Sequence, residues 1–162
     1  GVMGVRASGD RETGRLTLGV GRAGVNAHGG AEQLRWDEVD IGEPGPGELR
    51  LCQNACGLNY IDVYQRDGLY PAGDLPAVLG MEAAGVIDAV GEGVEGFAVG
   101  DRVAYPMCQG GYAEARLIAA DKLVALPETI SDRQAAAVML KGLTAPLHPG
   151  ALNYFKEVGL IK

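Results

Sequence analysis

The sequence predicts a mainly β, barrel-like domain carrying two or three short helices. Glycine supplies 26 of the 162 residues, which provides for tight turns and bulges and suits short strands better than a helical bundle. Between the glycines, stretches of alternating apolar and polar residues recur, the pattern of strands buried on one face. The length admits one domain with a substantial core and little of a second.

Residues 1–24 are rich in glycine and arginine with weak periodicity, and 15–20 suggests a short strand. Within them Gly19-Val20-Gly21-Arg22-Ala23-Gly24 fits the G-x-G-x-x-G dinucleotide fingerprint. That motif works where a strand ends, glycines admit a pyrophosphate and a helix N-terminus follows. The continuation VNAHGG makes a poor helix, so a flexible loop is expected, although Asp37 and Asp40 lie at a plausible distance for a ribose partner. Residues 34–41 alternate loosely as a half-buried strand, and 42–47 (GEPGPG) break it with turn residues. Residues 48–55 alternate again, with Leu49, Leu51 and Gln53 on one side and Cys52 on the other.

Asn59 can cap a short helix running to about Arg66, with Asp62 at the favourable third position, and Gly68 and Pro71 end it. Strands are expected at 84–90, 101–106 and 112–118, with another at 122–125 before Pro127. Gly91–Gly96 is a second formal match to the glycine fingerprint. Glu92 and Glu95 would face a phosphate there, so a hairpin-type turn is expected. Ser131 with Gln134 is a capping box, and Ala135, Val138, Met139 and Gly142 follow at helical spacing until Pro146. After Pro149-Gly150 an amphipathic helical pattern resumes from Ala151.

The formal charge of −7 is spread along the chain without a block, which argues against a nucleic-acid groove or an anionic-lipid surface. No apolar run approaches the roughly 18 residues of a membrane span, and the first residues lack the pattern of a secretory signal. Cys52, Cys56 and Cys108 form neither a CxxC pair nor an even set. Reduced thiols and a cytoplasmic location are therefore expected.

Several motifs, in order and at matching spacing, carry a resemblance. They are 34–47 (LRWDEVDIGEPGPG), 57–64 (GLNYIDVY), 68–71 (GLYP), 79–91 (LGMEAAGVIDAVG), 96–103 (GFAVGDRV), 110–114 (GGYAE) and 140–145 (LKGLTA). The chain resembles the N-terminal, GroES-like domain of quinone oxidoreductases related to zeta-crystallin, in the medium-chain dehydrogenase/reductase superfamily. The resemblance implies a partly open β-barrel, a cleft shared with a Rossmann domain, and NADPH held mostly on the Rossmann side. It runs over 25–145 and ends just after Thr144, so the Rossmann domain is expected to be absent. Residues 1–24 read as a poorly matched extension. Residues 146–162 read as an unrelated or altered tail, with a short similarity to the C-terminal end of TAXI-type solute-binding proteins of TRAP transporters.

By the same resemblance, zinc-dependent relatives place a cysteine at Asn59 and a histidine at Met81, just before Glu82. Neither residue here replaces a thiolate or an imidazole, and Cys52 with Cys56 suits packing better than a metal site. No metal is therefore expected. The resemblance places Asn59 and Tyr64 at the nicotinamide end of NADPH and the substrate, and Thr144 near the cofactor at the domain junction. Helix capping for Asn59, half-buried packing for Tyr64 and a helix-end hydroxyl for Thr144 are the structural alternatives. Glu82 lies in an apolar run and should be paired or have a raised pKa, an arginine being the favoured partner. Asp101, Arg102 and Tyr112 read as structural, and His28 and His148 receive no role. The function expected is NADPH-dependent reduction of a quinone, with weak or no NADPH binding by this chain alone and a homodimer admitted for full-length members. The alternatives are a non-catalytic GroES-like module for a hydrophobic ligand or protein partner, or a gene remnant with a transporter-like tail.

Overall fold

The computed structural model describes the backbone of residues 6–9 and 16–142 and the side chains of residues 19–138. Strands come first: β1 (Arg6–Gly9), β2 (Leu16–Val25) and β3 (Leu34–Ile41), with β3 at the bounds its alternation predicts but not half-buried as that alternation suggests, since none of its residues is buried. They are followed by β4 (Glu48–Cys56), the helix α1 (Tyr60–Asp67), the short β5 (Ala77–Val78) and β6 (Ala83–Val90). After these come β7 (Arg102–Tyr105), β8 (Ala115–Ala119), β9 (Val124–Ala125) and the helix α2 (Asp132–Gly142). Two antiparallel sheets result. One runs β1-β2-β3 with β5 also on β2, and the other runs β8-β4-β6-β7-β9.

Residues 19–24 correct an expectation. They are neither a flexible loop nor a phosphate loop but the second half of β2, in unbroken register with β3 from Leu18 opposite Ile41 to Val25 opposite Leu34. The glycines serve close approach. A Cβ on Gly21 would run into the indole of Trp36, and one on Gly24 into the carbonyl of Ala77 in β5. The segment from Gly111 to Glu114, expected to begin a strand, instead crosses to β2. Ala23 N–H donates to the Tyr112 carbonyl at 2.7 Å, Glu114 N–H to the Gly21 carbonyl at 2.8 Å, and the Glu114 carboxylate takes the Gly21 N–H at 2.8 Å. This crossing joins the two sheets and leaves a barrel that is only partly closed.

The core sits under the second sheet. Leu49 and Leu51, inward as their alternation predicts, pack with Ala83, Ile87, Val103, Tyr105, Ile118 and Leu123. Gln53 shares their face and accepts the Tyr105 hydroxyl at 2.5 Å. Arg102 is structural: its guanidinium reaches Asp132 and the Ile130 carbonyl, each at 2.6 Å, and pins β7 to the head of α2. The Ser131 capping box is present, with Ser131 N–H donating to Gln134 at 2.9 Å. Thr144, His148 and residues 146–162 lie outside the described residues. No helix among those described is long and apolar enough to cross a membrane.

Candidate functional site

The site is built on α1. Asn59 precedes it in extended conformation, φ −131° and ψ 152°, and its N–H donates to the Asp62 carboxylate at 2.8 Å. An acidic side chain in the first turn also meets the positive end of the helix dipole. Gly68 ends the helix in the left-handed region, φ 85°, where glycine carries no Cβ penalty.

The helix is amphipathic in an unusual sense, because its buried residues are polar. Asp62 and Gln65 are 4% and 5% exposed, while Leu58 and Tyr60, at its head, are 81% and 79% exposed. Asp62 Oδ2 accepts the Tyr112 hydroxyl at 2.7 Å. Burial, then the hydrogen bond and charge of Asp62, push the Tyr112 phenol far above its ordinary range and keep it a donor. Gln65 Nε2 donates to Gln109 Oε1 at 3.4 Å and to the Pro71 carbonyl at 3.3 Å. Gln109 in turn donates to the carbonyls of Ala72 and Val78 at 2.8 and 3.0 Å.

Glu82, 1% exposed, is paired as its apolar surroundings require. Asn59 Nδ2 donates to Glu82 Oε1 at 2.8 Å. Gly57 makes this possible: a Cβ there would strike the Glu82 carboxylate and the carbonyl of Ala136 in α2. The head of α1, the start of β6 and the body of α2 thus meet at one glycine.

Tyr64 belongs to an aromatic cluster on the outer side. Its ring stands edge-on to Tyr70 at 5.5 Å between centroids and 6.4 Å from Tyr60. Asn59 instead lines a cavity of about 350 Å³ with Leu34, Leu58, Val63, Leu79 and Tyr112. The two sequence-predicted residues, one just before α1 and one within it, therefore present different surroundings: Asn59 is bonded to Glu82 and Asp62, and Tyr64 packs edge-on among tyrosines. Tyr60 and Tyr70 were not singled out by the sequence reading. The i, i+4 spacing of Tyr60 and Tyr64 was the available signal. His28, which received no role, sets Nδ1 3.2 Å from the Gln65 carbonyl.

All three cysteines are free thiols. Burial, reinforced by Asp88, pushes Cys52 up to about 11, and burial followed by Asp62 also raises Cys56. Among the described residues no group of three His, Cys, Asp or Glu side chains is placed to hold a metal ion.

Comparison with known proteins gives this geometry a context. The alcohol dehydrogenase GroES-like domain matches residues 45–128. A quinone oxidoreductase of Pseudomonas aeruginosa is 54% identical over 121 residues, which cover 73% of this chain and 37% of that protein. The solved quinone oxidoreductase of Pseudomonas syringae pv. Tomato superposes with a TM-score of 0.73 at 46% identity, over 77% of this chain and 39% of that one. The Escherichia coli quinone oxidoreductase complexed with NADPH also gives 0.73, at 45% identity, over 76% of this chain and 38% of that one. The chain thus spans well under half the length of these relatives.

Proposed function

Because this chain belongs to the alcohol dehydrogenase GroES-like domain family, we propose that it forms the substrate-side wall of an NADPH-dependent quinone oxidoreductase that works without zinc. The observation that carries this reading is the 2.8 Å hydrogen bond from Asn59 Nδ2 to Glu82 Oε1 at the head of α1. Resemblance puts the zinc ligands of zinc-dependent relatives at Asn59 and Met81. An amide committed to a carboxylate, and a thioether 3.9 Å from Gln65 Nε2, form a poor donor set for Zn²⁺. Without a Lewis acid to polarise an alcohol, the chemistry suits an acceptor that is already electrophilic, as a quinone is.

NADPH, when bound, supplies a hydride, and with one proton from solvent the quinone becomes the hydroquinone. The chain's own residues hold and orient. Asn59, fixed through Glu82, keeps a second amide N–H for carboxamide or ribose oxygens. Tyr64, with Tyr60 and Tyr70, offers ring faces and phenols to a flat acceptor. Thr144 would add a hydroxyl at the domain junction. These groups are neutral, which fits the nicotinamide end of the cofactor rather than its phosphates.

The test is a chimera in which residues 25–145 replace the corresponding segment of the Pseudomonas aeruginosa relative. It should oxidise NADPH with 1,4-naphthoquinone as acceptor. Asn59→Ala should lower its kcat/KM by about tenfold or more, the loss of one positioned hydrogen bond and of the Glu82 tether. A folded chimera that binds NADPH without turnover defeats the reading. The exposure of Leu58 and Tyr60 would then favour the second one, a non-catalytic module for an apolar ligand or partner.

A further inference from the structure

We propose that the cavity between the β2–β3 hairpin and β8 binds a small monocarboxylate with an apolar body, its carboxylate held by Arg22 and Arg116. The cavity measures about 540 Å³, both arginines line it, and Val20, Val39, Ile41 and Leu117 give it apolar walls. None of Asn59, Tyr60 and Tyr64 belongs to it, so it is separate from the outer face of α1. Gln109 also reaches the lining, but its amide is already bonded to the Ala72 and Val78 carbonyls and to Gln65.

The two arginines differ from the others that are partly shielded from solvent. Arg50, Arg66 and Arg102 each bond a carboxylate, whereas Arg22 and Arg116, both half-buried, take part in no ion pair among the described residues. Asp37 stands opposite Arg22 in the strand register without pairing with it, and the Arg22 guanidinium has no hydrogen-bond partner among the described residues. Neutral groups hold Arg116. Its Nη1 donates to the Gln109 carbonyl at 2.6 Å and the Cys108 carbonyl at 3.3 Å, and its Cζ lies 5.2 Å from the centre of the Tyr105 ring. Gly110 leaves room for it, since a Cβ there would come within 2.7 Å of Nη1. Nη2 meets only the Cys108 thiol, at 3.7 Å, and so keeps an N–H to donate.

A guanidinium drawn partly out of water without a counter-charge gains strongly from an anion that reaches it, and a carboxylate matches its planar donors. The apolar walls favour a hydrocarbon body over a bare ion. Asp40 shares the lining and is exposed, which disfavours a second negative charge on the ligand. The net charge of −7 acts from farther away and is screened beyond about 8 Å at physiological salt.

The full chain, labelled at its methyl groups, is titrated with octanoate, octanamide and acetate while the methyl NMR signals are followed. Octanoate should give saturable shifts concentrated at Val20, Val39, Ile41 and Leu117. Octanamide has the same body without the charge, acetate has the charge without the body, and each should bind at least about tenfold more weakly. Arg22→Met should weaken octanoate about tenfold and leave octanamide within about twofold. This variant is preferred to one at Arg116 because the Arg22 guanidinium bonds nothing within the described fold. The three probes on the wild-type chain decide the matter if Arg22→Met does not fold. Octanamide or acetate binding the wild-type chain as tightly as octanoate overturns the proposal. So do octanoate shifts that fail to saturate, shifts centred on Leu58 and Val63, or undiminished octanoate binding by folded Arg22→Met.

Discussion

Helix α2 turns Ala135 and Ala136 inward against Ala84 and Ala104, whereas α1 turns Asp62 and Gln65 inward and leaves Tyr60 in solvent. The body of the first docks by small apolar contacts, which are non-directional and tolerate small rotations, and the hydrogen bonds from Asn54 and Arg102 hold only its first residue, Asp132. The second docks by hydrogen bonds from Tyr112 to Asp62, from Gln65 to Gln109 and from Asn59 to Glu82, each with a required distance and angle. Directional bonds fix the rotation of α1 about its own axis. That rotation decides which way Tyr64 and Asn59 face. One helix is scaffold, and the other is aimed.

The largest effect is expected where the two helices meet. Gly57→Val places branched carbon against the Glu82 carboxylate and the Ala136 carbonyl, and backbone cannot yield as a flexible side chain can. A loss of about 3 kcal/mol in urea unfolding is expected from overpacking of this kind. A loss under about 1 kcal/mol would mean that α1 and α2 are not held in register through this glycine.

Next comes Asp62→Ala, which breaks the directional docking of α1 alone. It leaves the Asn59 N–H and the Tyr112 hydroxyl as donors without their acceptor, at a cost of about 2 kcal/mol. Amide exchange should accelerate across α1 while α2 keeps its protection. Equal acceleration in both helices would erase the distinction between them.

Parts of this arrangement were legible in the sequence, and the division has a physical basis. The strand over Leu34–Ile41 and the capping box of α2 are local patterns, visible in the alternation of eight residues and in Ser131 with Gln134. The second half of β2 was not legible. Its glycines make room for Trp36 and for the carbonyl of Ala77, and partners so distant in sequence leave no local trace. Asn59 and Asp62 were readable as cap and third position. The polar inner face of α1 was not, because Gln109 and Tyr112 come to it from 44 and 50 residues away. Glu82 announced that it needed a partner, since a carboxylate in an apolar run must have one; the sequence favoured an arginine, and nothing in it pointed to the Asn59 amide that donates to it.

A third prediction uses pH to loosen α2 instead. Burial alone would raise the Asp132 carboxyl, but the hydrogen bond from Asn54 and then Arg102 outweigh it and hold it below the ordinary carboxylate range. A carboxyl depressed in the folded state contributes stability above its unfolded pKa, about 4, and that contribution is lost as pH falls through the folded value. Wild-type stability should thus drop on acidification below about pH 4 by an increment that Asp132→Asn no longer shows. Arg102→Ala at pH 7 should cost about 1 kcal/mol, the scale of a partly exposed pair. Both changes should raise amide exchange at the head of α2 and spare α1.

The smallest effect on stability is expected at Tyr64, which we propose lies nearest the chemistry. Tyr64→Ala removes a ring that is 37% exposed and bonded to nothing in the polar network under α1. Its loss forfeits the edge contact with Tyr70 at 5.5 Å and the looser one with Tyr60 at 6.4 Å, which on a partly exposed ring are together worth about 0.5 kcal/mol. The network beneath, from Asn59 through Asp62 to Gln109, is untouched, so α1 should keep both its rotation and its exchange protection. Within the chimera the same substitution should raise KM for naphthoquinone several-fold, because a flat acceptor loses one face of its support. Tyr64→Phe should keep most of that support, which separates the ring from the hydroxyl. Urea unfolding and steady-state kinetics on the pair of variants decide the point. A stability loss as large as that of Asp62→Ala, with KM unchanged, would make Tyr64 part of the scaffold and leave the aimed face of α1 to Asn59.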